Sequence, residues 1–169
     1  MHEPLKLIVA GPVGAGKTTF INSLSEIATV NTDVLASEKI GKPMTTVAMD
    51  YGMITLDGIA LHLYGTPGQD RFDFMWEVLC QGALGLVLLV AGNQPSSFAQ
   101  ARNILDFITS RINVPYVIGV TQLDLPFCWE ADEIADYFNL DYEQVVGLNA
   151  TNKKECLKIL ETSLQMIVT

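Results

Sequence analysis

Lys17 and Thr18 close the stretch Gly11-Pro12-Val13-Gly14-Ala15-Gly16-Lys17-Thr18-Thr19. Glycine, four residues, then Gly-Lys-Thr is the spacing of a phosphate-binding loop. Its glycines let the backbone curl with N–H groups facing inward, and a helix starting behind them adds partial positive charge. Lys17 would reach the β- and γ-phosphates of a nucleotide, and the Thr18 hydroxyl would ligate Mg²⁺. Val13, Gly14, Ala15, Gly16, Lys17, Thr18 and Thr19 are therefore candidate nucleotide-binding residues. The alternative is a glycine-rich turn that binds nothing. The flanks argue against it, because the mostly apolar residues 5–10 read as a strand leading in and 16–26 as a helix leading out.

Such a loop has to be held by a sheet. Thr46 to Leu56 reads as a strand, Asp57-Gly58 as a tight turn and Ile59 to Tyr64 as the returning strand. Residues 84–91 are apolar on both faces, as a central parallel strand covered on both sides requires. Residues 115–121 repeat that pattern, and 144–149 form the last strand. Helices are expected over 71–82, 96–112, 130–138 and 153–168, where Leu157, Leu160, Leu164 and Ile167 share a face. Residues 27–45 lack any period and read as a long loop. Alternating strands and helices predict a doubly wound, mostly parallel six-stranded α/β sheet with one antiparallel edge hairpin, its ligand at the carboxyl ends of the strands.

The chain of 169 residues suits one domain, 1–169, and 49% hydrophobic against 17% charged residues is a globular composition. A net charge of −9 argues against a free nucleic-acid or anionic-membrane surface. Cys80, Cys128 and Cys156 are isolated and read as buried thiols in a reducing cytoplasm. The opening Met1-His2-Glu3-Pro4 resembles neither a secretory leader nor an N-myristoylation site, and no prenylation cysteine ends the chain. The apolar run 83–91 is too short to span a bilayer. A cytoplasmic protein without a direct membrane anchor is expected.

Further residues fall at loop ends. Thr46 could offer its hydroxyl to Mg²⁺ and its N–H to a γ-phosphate, or simply begin a strand as a β-branched residue. Gly68-Gln69 follows a turn. Thr121-Gln122-Leu123-Asp124-Leu125 follows a buried strand, and Asn149-Ala150-Thr151 follows the last one. Lys17, Thr46, Gly68-Gln69, Asp124 and Ala150 occur in the order and approximate spacing of the Ras-like small GTPases, which the chain resembles over its whole length. Thr45–Gly52 and Gly65-Thr66-Pro67-Gly68-Gln69-Asp70-Arg71-Phe72 carry the likeness, nearest to the bacterial Ras-like GTPases of conservon operons. The resemblance implies the P-loop NTPase fold, GTP and GDP as ligands with Mg²⁺, and switch loops at 27–46 and 65–75. It implies Thr18 and Thr46 as metal ligands, Gln69 as the residue orienting the attacking water, and Lys17 and Thr46 as its catalytic companions. Gly68 would contact the γ-phosphate. Asp124 would accept from guanine N1–H and N2–H₂, flanked by Thr121, Gln122 and Leu125, with Asn149, Ala150 and Thr151 at the guanine O6. A roadblock-type regulatory protein is the implied partner.

Three positions depart from the family pattern. Gly65 stands where an aspartate holds a Mg²⁺-bound water, which predicts weak Mg²⁺ dependence. Gln122 replaces a lysine lying over the base. Val13 replaces a glycine beside Gln69. Only Arg71, Arg102 and Arg111 exist, and none lies in the first switch, so intrinsic hydrolysis should be slow. The rival readings are a pseudo-GTPase that holds nucleotide without turnover, and a small-molecule kinase, which the scarcity of lid arginines disfavours.

Overall fold

The computed structural model describes the backbone of residues 5–35, 46–66 and 74–168, and their side chains except those of 30–35, 46–49, 74, 75, 77, 167 and 168. β1 (Leu5–Ala10) lies at the middle of the sheet. Its alternation sets the layers. Leu7 and Val9 face α1 (Lys17–Leu24) and α5 (Lys153–Val168), while Ile8 and Ala10 face α2 (Phe74–Cys80), α3 (Phe98–Arg111) and α4 (Ala131–Phe138). β5 (Gly85–Ala91) is buried at every position, as its unbroken apolar run requires.

Among the described residues the sheet has seven strands in the order β2-β3-β4-β1-β5-β6-β7. β3 (Thr46–Leu56) and β4 (Ile59–Gly65) turn back through Asp57-Gly58, whose φ values of 51° and 79° are the positive pair that an Asp-Gly hairpin adopts. β1 pairs in parallel with β4 and β5, β5 with β6 (Tyr116–Thr121), and β6 with β7 (Val145–Gly147). The doubly wound, mostly parallel α/β architecture is the expected one.

The expected loop over 27–45 needs correction. Residues Val30–Leu35 form β2, an edge strand antiparallel to β3 in the register Val30↔Tyr51 to Leu35↔Thr46. The sheet thus has one strand more than the expected six, and its antiparallel end has three strands. Asn31, Thr32 and Asp33 give β2 no alternation of its own. It exists through hydrogen bonds to β3, a long-range cause that local periodicity does not carry.

α1 packs closely on this end of the sheet. A side chain at Gly52 of β3 would place its Cβ 2.7 Å from Ile21 Cγ2 and 2.9 Å from Ser25 Cβ.

Candidate functional site

The loop from β1 to α1 leaves the sheet where no side chain fits. A Cβ on Gly11, at φ 153°, would sit 2.4 Å from the Leu89 carbonyl oxygen of β5. Gly16 caps α1 at φ 100°, a left-handed conformation that suits glycine. Lys17 is only 9% exposed and donates to the carbonyls of Gly11 and, at 3.2 Å, Pro12. Burial pulls its ammonium down to about 8, against the opposing attraction of Asp50. Thr18 and Thr19 are exposed in the first turn of α1, Ala15 is buried beneath the loop, and Val13 is 65% exposed at its tip. The side chain of Gln94, after β5, lies against the loop, within 3.7 Å of where a Gly14 Cβ would stand.

Asp50 is a site residue that the sequence reading missed. The Thr18 hydroxyl donates to Asp50 Oδ2 at 2.6 Å. Asp50 sits on β3 directly opposite Gly65 of β4. A Cβ on Gly65 would lie 3.2 Å from Asp50 Cβ and 3.5 Å from its Oδ2. The carboxylate therefore lies beside the space a residue-65 side chain would enter. The two positions are fifteen apart in sequence, and only the hairpin register at Asp57-Gly58 would have paired them.

The residues expected at the base end converge. Gly16, Thr19, Thr121, Gln122, Asp124, Leu125, Asn149, Ala150 and Thr151 line one cleft of about 370 Å³. Two of them are spent on the phosphate loop itself. Thr121 Oγ1 donates to the Ala15 carbonyl at 2.7 Å, and Gln122 Nε2 donates to the Gly14 carbonyl at 2.8 Å. Gln122, shorter than lysine, reaches that carbonyl from a left-handed backbone at φ 61°. In the last loop Asn149 Oδ1 accepts from the Thr151 N–H at 3.0 Å and its hydroxyl at 2.6 Å. The Asn149 N–H donates to Glu155 Oε1 at 3.4 Å, and the Asn149 carbonyl accepts from the Asn152 N–H at 2.9 Å.

Gly68, Gln69 and Arg71 lie outside the described residues. Thr46 opens β3 opposite Leu35, its side chain undescribed. Arg102 and Arg111 are on α3, where Arg102 donates to the Tyr137 carbonyl and Arg111 lies 3.7 Å from the Phe107 ring centre. All three cysteines are free thiols, Cys80 and Cys156 buried and Cys128 half-buried. Among the described residues no helix is long and apolar enough to cross a membrane, and no three His, Cys, Asp or Glu side chains form a metal cluster.

Comparison with known proteins agrees with this fold. The family described as conserved hypothetical ATP binding protein matches over residues 30–168. An uncharacterized protein of Methanocaldococcus jannaschii, MJ1339, is 30% identical over 126 residues, which cover 73% of either chain. The G domain of the FeoB iron transporter of T. maritima has a similar fold, with a TM-score of 0.70 at 18% identity, covering 99% of this chain and 100% of that one. A phosphate loop in this fold makes the chain a nucleotide-binding P-loop domain.

Proposed function

The chain belongs to the family described as conserved hypothetical ATP binding protein, and from that premise we propose a guanine-nucleotide switch that hydrolyses GTP slowly to GDP. The observation that carries the choice of base is Asp124 and Ala150 lining one cleft with the phosphate loop. A carboxylate suits the N1–H and N2–H₂ donors of guanine and is left unpaired by adenine. Among the described residues the Ala150 N–H takes part in none of the hydrogen bonds of its loop. It suits the guanine O6 acceptor and opposes the adenine amino group. The family description favours ATP as the rival ligand. Titration with fluorescent GDP, GTP, ADP and ATP decides. GDP and GTP should bind at least a hundredfold tighter than ADP, and Asp124→Ala should remove most of that preference. Equal binding of ADP would leave the ATP reading.

Hard oxygen donors suit Mg²⁺, and the Thr18–Asp50 contact is such a pair. Thr18, Asp50 and Thr46 would hold the ion, which, when bound, offsets phosphate charge. With Asp50 in place the weak Mg²⁺ dependence expected from Gly65 gives way to an ordinary one. Asp50→Ala should lower Mg²⁺ affinity of the GDP complex about 10–100-fold, by calorimetry, and speed GDP release without chelator. Adding Gly65→Asp in that background should recover part of both. Unchanged metal affinity in Asp50→Ala would remove Asp50 from the metal site.

The catalytic part of the reading gives Gln69 the orientation of the attacking water and Lys17 the charge of the transferring group. The switch segments 27–46, which include the edge strand β2, and 65–75, between β4 and α2, report the nucleotide state in this reading. Among the described residues the arginines are both on α3, Arg102 donating to the Tyr137 carbonyl and Arg111 lying over the Phe107 ring, which supports a slow intrinsic rate. A regulator of roadblock type, acting in the cytoplasm, completes the reading, and its addition should raise phosphate release.

A further inference from the structure

The Ala150 carbonyl is held from two helices at once. Ser23 of α1 donates to it through its hydroxyl, and Cys156 of α5 through its thiol at 3.4 Å. The N–H of the same peptide unit, that of Thr151, donates to Asn149 Oδ1 at 3.0 Å. Both ends of the 150–151 peptide are therefore fixed. The peptide before it is fixed at its carbonyl, Asn149, by the Asn152 N–H at 2.9 Å. Its own N–H, on Ala150, is the group left unspent among the described residues.

From this arrangement we propose that Ser23 and Cys156 are positioning residues for base recognition: together they clamp the Ala150 carbonyl so that the Ala150 N–H stands ready for the O6 of guanine. The inference rests on the guanine reading above and deepens it. Neither side chain touches the nucleotide in this account. They act by holding the 150–151 peptide, and with it the Ala150 Cα to which the recognising N–H is attached, while the Asn152 N–H holds the 149–150 peptide itself, so that binding does not have to order the loop. Cys156 is wholly buried, and burial pushes its thiol up to about 11, so it keeps its proton for donation at neutral pH.

The test isolates one atom of the ligand. 6-Thio-GDP keeps N1–H and N2–H₂ and replaces O6 with sulfur, a poorer acceptor. Dissociation constants for GDP, 6-thio-GDP and ADP are measured on the full chain, wild type and variants. Wild type should favour GDP over 6-thio-GDP about tenfold. Ser23→Ala with Cys156→Ala should weaken GDP about tenfold and 6-thio-GDP far less, so the ratio falls toward one. Cys156→Ser, which keeps a donor, should hold the ratio near its wild-type value, and it serves if the double variant fails to fold. A purely structural role would weaken both ligands by one factor and leave the ratio intact, which overturns the clamp. Ratio loss in Cys156→Ser as severe as in Cys156→Ala would overturn the thiol's part in it. A wild type that binds ADP as well as GDP sinks the guanine reading itself, and the clamp with it.

Discussion

Lys17 carries two opposite pH dependences. In the folded protein its ammonium is lowered to about 8 from an ordinary 10.5. Between those values the unfolded chain holds the extra proton, so stability of the nucleotide-free protein rises with pH as Lys17 deprotonates. Phosphate binding favours the charged ammonium, so nucleotide affinity should fall over the same range. The buried Cys156 thiol, raised to about 11 from 9, opposes the stability gain above pH 9. The useful window is therefore pH 7.5 to 9. Urea midpoints should rise and GDP affinity should drop across it, and Lys17→Met should flatten both slopes. A midpoint that falls in wild type across this window would contradict the burial of the charge.

At the scale of elements, the hairpin and the glycine at its back decide where the site sits. α1 presents Lys17 and Thr18, and it meets β3 at Gly52 with no room for a methyl group. Gly52→Ala should cost about 1–3 kcal/mol of stability, measured by urea unfolding, as α1 or Ile21 is forced aside. An unchanged midpoint would mean that α1 shifts freely on the sheet. The phosphate loop and the helices of the parallel half were legible in the sequence because their causes are local: glycine spacing, apolar runs and 3.6-residue periods. Asp124 was legible from its place after a buried strand. Asp50 was not, because its partner Thr18 lies 32 residues away and the link passes through strand register. β2 was not, because an edge strand with Asn31 and Asp33 in it owes its existence to its neighbour. Gln122 and Thr121 were expected at the base, yet their hydrogen bonds run to the phosphate loop, since side-chain reach depends on the approach of β1 and β6 through β5.

At the scale of the molecule, a chain of net charge −9 would take an anionic nucleotide beside the buried Lys17 of its phosphate loop. The surrounding field repels nucleotide during approach and salt screens that repulsion. The association rate of GDP should therefore rise between low and physiological ionic strength, measured by stopped-flow fluorescence, and a falling rate would mean that the field at the loop mouth is positive. The carbonyl of Ala150 is bonded from Ser23, 127 positions earlier in the chain. β1, from which the phosphate loop springs, has neighbours that arrive only with β4 and β5. During synthesis the phosphate loop is thus made before either of the strands that flank β1, and it has both only once β5 has emerged. The loop 149–151 at the other end of the cleft is completed later still, when α5 docks. Nucleotide adds RT ln(1 + [L]/Kd) to the finished domain alone. It acts as a seal on completed folding, and a ribosome-bound fragment ending before residue 149 should gain nothing from it.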